Sequence, residues 1–343
     1  MPPLWRAPLL ALGFAALLTG LAGGLARLAP AFPAPGPAIM WHGALMAGGF
    51  FGAVIGLERA VAVDRTWAYG APLAAGLGGI LILAGSGAAA WLLVAAGVLL
   101  CAAGIAVMRR QASLETAVLL AGAACWLAGN VQLARGGDAP PWWIAFFALT
   151  IGAERLELSR YLKKGPFAHR SFIVLAAAVA IAPAEPSGFA LGLACIGLAA
   201  WLATFDLARF TVRQRGLPRF VAACLLAGYF WLAAGGALLA LGGALLVPGA
   251  ARDAALHAVF LGFAMSMVFG HAPVIAPAVL RVAVRYRSIL YLPLVLLHAS
   301  LAVRVIGDLA EAPPLTAAGA WGNAAAILLF LGTAVTLAAG GRR

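Results

Sequence analysis

Apolar residues fill this chain in blocks of about twenty, and polar residues collect in the short gaps between the blocks. A helix of about twenty apolar residues crosses the ~30 Å hydrocarbon core of a bilayer, so the pattern predicts an all-α integral membrane protein. Twelve spans fit, at 4–28, 39–63, 71–87, 88–108, 114–134, 140–161, 170–184, 187–209, 219–247, 252–280, 288–308 and 315–339. The third and seventh are short and rich in Gly or Pro. The first begins like a signal peptide, with Arg6 ahead of an apolar run. That run exceeds the 7–15 residues of a signal h-region and no clear cleavage site follows, so it is expected to stay as a span.

Composition agrees: 64% hydrophobic and 10% charged residues lie far from the roughly 25% charge of soluble domains. The formal net charge of +12 does not predict a nucleic-acid partner, because the basic residues sit in the gaps between spans, where they set orientation. Of the 23 Lys and Arg residues, all but Arg27, Arg135, Arg252 and Arg304 fall at the chain ends or in the connections after even-numbered spans. The positive-inside rule then predicts both termini in the cytoplasm, and a miscounted span would have scrambled the alternation. The isolated cysteines Cys101, Cys125, Cys195 and Cys224 all fall inside spans and read as small core hydrophobes.

The second span ends in AVIGLERAVAVDR, with Gly56, Glu58 and Arg59, and the sixth in LTIGAERLELSR, with Gly152, Glu154 and Arg155. The offset is four spans. The tenth carries Gly270 at the corresponding end, so one polytopic domain of three four-helix units is expected, approximately 1–110, 111–215 and 216–343.

Ionisable groups inside spans mark functional sites by default. The stretch from His257 to Arg281 holds two of the five histidines, His257 and His271, 14 residues apart. In an uninterrupted α-helix that spacing sets them within about 40° of one face and about 21 Å apart along the axis. His42 and His257 both lie a few residues into spans that run inward from outside, so both belong at one depth. Such a pair meets the requirement for bis-histidine ligation of a haem or another metal; hydrogen bonding to other helices or interfacial water is the plain alternative. His298 belongs near mid-membrane, as a ligand at the same or a second site or bonded to a carbonyl. His271 falls level with Glu58 and Glu154 at the cytoplasmic end, followed by Pro273 and Pro277. Those groups fit a second metal or haem site or a proton-handling gate; Glu58 and Glu154 also fit ion pairs with Arg59 or Arg65 and Arg155 or Arg160 at the interface. His169 lies in a loop and carries no role.

Twelve helices in three four-helix units, with histidines on the second and tenth, resemble the catalytic subunit of haem-copper oxidases and nitric oxide reductases. More closely, WHGALMAGGFFGAVIG, LHAVFLGFAMSM and LAVRVIGDL resemble the NnrS family of haem- and copper-containing membrane proteins linked to nitric oxide stress. The resemblance covers 38–60 and 253–308. It implies haem b on His42 and His257, with His271 and His298 as candidate second-site ligands, copper as a further metal, a redox partner or quinol, and a bacterial inner membrane. Two departures bear on copper: Ala44 stands near where the family carries a second histidine, and 140–161 and 170–184 lack the buried histidines that hold copper in the oxidases. Terminal oxidase activity is therefore not expected. A twelve-helix secondary transporter with a polar, ion- or proton-coupled site on the tenth span is the competing expectation, and a quinol-linked scaffold the third.

The topology has a direct check. A reporter active only in the cytoplasm should give signal when fused after Arg110 or Arg215 and stay silent after Gly137. The reverse pattern would contradict the inferred orientation.

Overall fold

The computed structural model describes residues 3–160, 162, 165–242, 247–282 and 284–339. Lys163, Lys164, Arg342 and Arg343 from the charge sorting, and the span ends expected at 161 and 243–246, lie outside the described residues. Helix is the regular structure throughout, and no strand occurs among the described residues.

A helix occupies each expected block. They are α1 (Ala7–Leu28), α2 (Gly36–Met40, His42–Ala44, Leu45–Phe50 and Phe51–Val63), α3 (Gly70–Leu83), α4 (Ala89–Arg110), α5 (Leu114–Ala134) and α6 (Pro140–Leu158). There follow α7 (Pro166–Ile181), α8 (Phe189–Phe205), α9 (Leu217–Gly242), α10 (Ala250–His257, Ala258–Met265 and Ser266–Leu280), α11 (Tyr291–Leu309) and α12 (Pro313–Ala339). Among the described residues ten stretches are long and apolar enough to cross a membrane. The other two segments are α8, with 17 residues, and α6, whose last turns carry Glu154, Arg155 and Glu157. The ends follow local chemistry: Ser113 and Thr116 form a capping box before α5, and Asp64 closes α2 in the left-handed region at φ 52°.

The chain divides into two compact units, one of residues 1–146 with Val279–Arg281, the other of 147–278 with 282–343. In the first, α1 packs on α2 through small residues. A Cβ on Gly23 would run into the Ala38 carbonyl, and one on Gly13 would lie 3.0 Å from the Ala53 Cβ. Such small-residue contacts let apolar helices approach closely where no water-driven force operates between them. In the second, Gly192 of α8 and Gly236 of α9 meet backbone to backbone in the same way.

α2 and α10 share an irregularity. Leu45–Phe50 and Ala258–Met265 are π-helical, with i→i+5 turns, each in the middle of an otherwise α-helical span. Such turns are wider and turn through fewer degrees per residue, and they concentrate at functional sites. The expectation that His257 and His271 share one face of α10 assumed unbroken α-helix; the π-helical stretch between them removes that phase relation.

A buried ion pair ties α6, α8 and α9 together in the second unit. Arg155 Nε and Nη2 donate to the two carboxylate oxygens of Asp206, both at 3.0 Å. Ser159 Oγ donates to Asp206 at 2.8 Å and Tyr229 Oη at 2.6 Å, and the Leu207 amide adds a third donor to Oδ1 at 2.6 Å. Asp206 is fully buried and Arg155 5% exposed. Arg155 thus turns inward to Asp206, which corrects its place among interfacial charges. Removing one partner of a buried pair leaves an uncompensated charge, so Asp206→Ala should cost about 3–5 kcal/mol in thermal or denaturant unfolding in detergent. The double variant Arg155→Met, Asp206→Leu should recover part of that loss, since Ser159, Tyr229 and the Leu207 amide still lose their acceptor; equal losses for both would contradict this reading.

Candidate functional site

His42 opens the long part of α2, directly after the break at Trp41 and three residues before the π-helical stretch begins at Leu45. Its ring leans on α1. Nδ1 lies 2.6 Å from the Gly20 carbonyl oxygen, which can only accept, so Nδ1 carries the proton and the lone pair of the neutral ring is on Nε2. Gly24 provides the space: a Cβ there would lie 2.8 Å from His42 Cε1 and 2.9 Å from Nδ1. The run Gly20, Gly23, Gly24 therefore does two jobs, admitting α2 and seating an imidazole. The π-helical stretch also offers a carbonyl to a side chain, since Trp126 Nε1 donates to Ala47 O at 3.3 Å. Trp126 is itself packed where a Cβ on Gly52 would be.

His257 lies at the same side of the irregularity in α10, as the last residue of an α-helical segment directly before the second π-helical stretch. Its Nδ1 lies 2.8 Å from the Asp253 carbonyl and 3.3 Å from Asp253 Oδ2. The tautomer is again Nδ1–H. Here the anchor is local, one helical turn back, whereas His42 is held by another helix. Asp253 Oδ2 also accepts from Arg304 Nη2 at 2.8 Å; Arg304 Nε stands 4.0 Å from Asp308 Oδ2, and Thr316 donates to Asp308 Oδ1 at 2.9 Å.

His298 is fixed differently. The Trp231 indole donates to its Nδ1 at 3.0 Å, which makes Nδ1 the acceptor and Nε2 the protonated nitrogen. Nε2 faces Ser266 Oγ at 3.3 Å, and Ser266 passes its own proton to the Cys224 carbonyl at 2.7 Å. With its lone pair engaged by Trp231, His298 can ligate a metal only by giving up that bond. Trp231 is seated by Gly262, where any Cβ would overlap the indole. His271 lies past the π-helical stretch, half-buried, with Nδ1 2.8 Å from the Met267 carbonyl. Pro273 and Pro277 follow inside the same helix. Glu58 in α2 and Glu154 in α6 are half-buried, and His169 is exposed.

Bound haem requires imidazoles with a lone pair on an outward nitrogen, the other nitrogen held by a carbonyl or carboxylate. His42 and His257 have that donor chemistry, and His271 shares the tautomer. Among the described residues no three His, Cys, Asp or Glu side chains converge as a group able to hold a metal ion. Two-histidine ligation needs no such cluster. The sequence pointed to His42 and His257 but not to what holds them. Asp253, four residues ahead of His257, was a legible signal for one partner; Gly20 was not, because any residue supplies a carbonyl.

The apolar helices with internally paired polar groups define an all-helical, multi-pass membrane protein. Residues 6–339 match the family described as Domain of unknown function (DUF8744), and the chain belongs to that family. No curated protein matches the chain.

The seat of His42 is testable. Gly24→Ala should displace the ring and cost about 1–3 kcal/mol by overpacking. Gly36→Ala, where a Cβ meets nothing within 4 Å, should stay within about 0.5 kcal/mol of wild type. Equal stabilities for the two variants would mean the ring is not seated on Gly24.

Proposed function

We propose that this is a haem-binding integral membrane protein, similar to the NnrS family, with His42 and His257 as haem ligands. The observation that carries the reading is that both histidines lie just N-terminal to a π-helical stretch, His257 directly before Ala258–Met265 and His42 three residues before Leu45–Phe50, and both hold Nδ1–H on a carbonyl, which assigns the lone pair to Nε2. Haem bound there would supply one-electron exchange. The protein's contribution is to fix two ring tautomers and to seat the His42 ring against Gly24. Twelve spans with both termini in the cytoplasm of a bacterial-type inner membrane complete the proposal. The role in nitric oxide response or membrane electron transfer, with a quinol or redox protein as partner, rests on the family resemblance. Haem b, with copper as a second metal, is part of the same resemblance.

The competing reading is a secondary transporter. It draws on the prolines inside α10, on the buried pair Arg155–Asp206 and on the half-buried pair Asp253–Arg304. Ion- or proton-coupled uptake by haem-free protein in liposomes would favour it.

Purified protein expressed with adequate haem should show a Soret band and a low-spin reduced-minus-oxidised spectrum. His42→Ala and His257→Ala should each remove the low-spin signal, while His169→Ala leaves it. A haem-free wild type, or two histidine variants with unchanged spectra, would sink the proposal.

A further inference from the structure

One carboxylate oxygen in the second unit is shared between a cation and a candidate ligand. Asp253 Oδ2 accepts from Arg304 Nη2 at 2.8 Å and lies 3.3 Å from His257 Nδ1. The Asp253 carbonyl, at 2.8 Å, is the closer acceptor and sets the tautomer. The carboxylate adds a full negative charge behind the imidazole. Arg304 is 9% exposed and reaches Asp253 from α11, its backbone pressed against Gly319 of α12, where a Cβ would lie 2.5 Å from the Arg304 amide nitrogen. Its other neighbour is Asp308 at 4.0 Å, itself held by Thr316 at 2.9 Å. Asp308 and Asp253 thus flank Arg304 with negative charge, Asp253 in hydrogen-bond contact and Asp308 at 4.0 Å.

We propose that Asp253 and Arg304 are positioning residues that set the electron-donating strength of His257 by opposing charges. The proposal rests on His257 ligating haem. An anion on the far ring nitrogen raises the basicity of a ligating imidazole, a known lever of outer-shell partners. It favours the oxidised iron; a cation that shares the anion opposes it. The Arg304 side chain is shielded from water, at 10% exposure, and Asp253 is half-buried, so their charges are less screened than at the open surface. The two residues should therefore act with opposite sign.

The test is the haem midpoint potential in Asp253→Asn and Arg304→Gln, measured on detergent-purified, haem-loaded full-length protein. Asp253→Asn removes the anion and leaves Arg304 charged, so the reduced-to-oxidised ratio at a fixed potential should rise about tenfold, which is about 59 mV for one electron. Arg304→Gln removes the cation and keeps a polar side chain, so the ratio should fall. A purely structural link between α10 and α11 would lower stability in both variants without shifts of opposite sign. Unchanged potentials, or shifts in one direction, with haem still bound, overturn the proposal and leave the haem reading standing. If Asp253→Asn does not fold, Arg304→Gln decides alone: a lower ratio supports the proposal, and any other result overturns it. Wild type without haem overturns both.

Discussion

A polar group carried into hydrocarbon has no water to bond, so it must find its partner within the protein. The interior of this chain is arranged around that requirement. Asp206 accepts five hydrogen bonds from Arg155, Ser159, Tyr229 and the Leu207 amide. Asn130 donates to the Leu93 carbonyl at 3.0 Å and accepts from Trp143 at 3.1 Å, and Asn323 donates to the Leu297 carbonyl at 3.1 Å and to Ser300 at 2.7 Å. The same rule fixes the histidines. His42, His257 and His271 place a ring nitrogen on a carbonyl, and His298 is held between an indole and a hydroxyl.

That shared rule separates the histidines chemically. A carbonyl accepts only, so it assigns the proton to Nδ1 and the lone pair to Nε2; an indole donates only, so it assigns the reverse. His42 and His257 fall in the first class and also precede a π-helical stretch, by three residues and by one, which re-phases the helix behind them. His298 falls in the second and reads as part of the packing between α9, α10 and α11. The glycines supply the space: Gly24 for the His42 ring, Gly262 for the Trp231 indole that holds His298.

The helices were legible because twenty-residue apolar blocks separated by charged gaps leave little choice of structure; the 114–134 block and the Leu114–Ala134 helix coincide. The π-helical stretches were not, because LMAGGF and AVFLGFAM have no composition that distinguishes i→i+5 from i→i+4 turns. Arg155 was assigned to the interface by its place near a span end, and only the fold brings Asp206, 51 residues on, to meet it. His42 and His257 could be singled out as scarce ionisable residues in apolar spans. Their tautomers depend on a backbone carbonyl from α1 and on local helix geometry, neither of which leaves a side-chain signature. The resemblance of Gly56-x-Glu58-Arg59 to Gly152-x-Glu154-Arg155 suggested equivalent ends, yet Arg155 has a buried partner across the second unit.

Nitrogen-15 NMR of histidine-labelled protein in lipid bilayers, assigned with His42→Gln and His257→Gln and recorded before and after haem addition, tests the central claim most directly. Protonated Nδ1 and non-protonated Nε2 are expected at both positions, with the Nε2 resonances displaced by haem. Protonated Nε2 at His42 and His257, unmoved by haem, would contradict it.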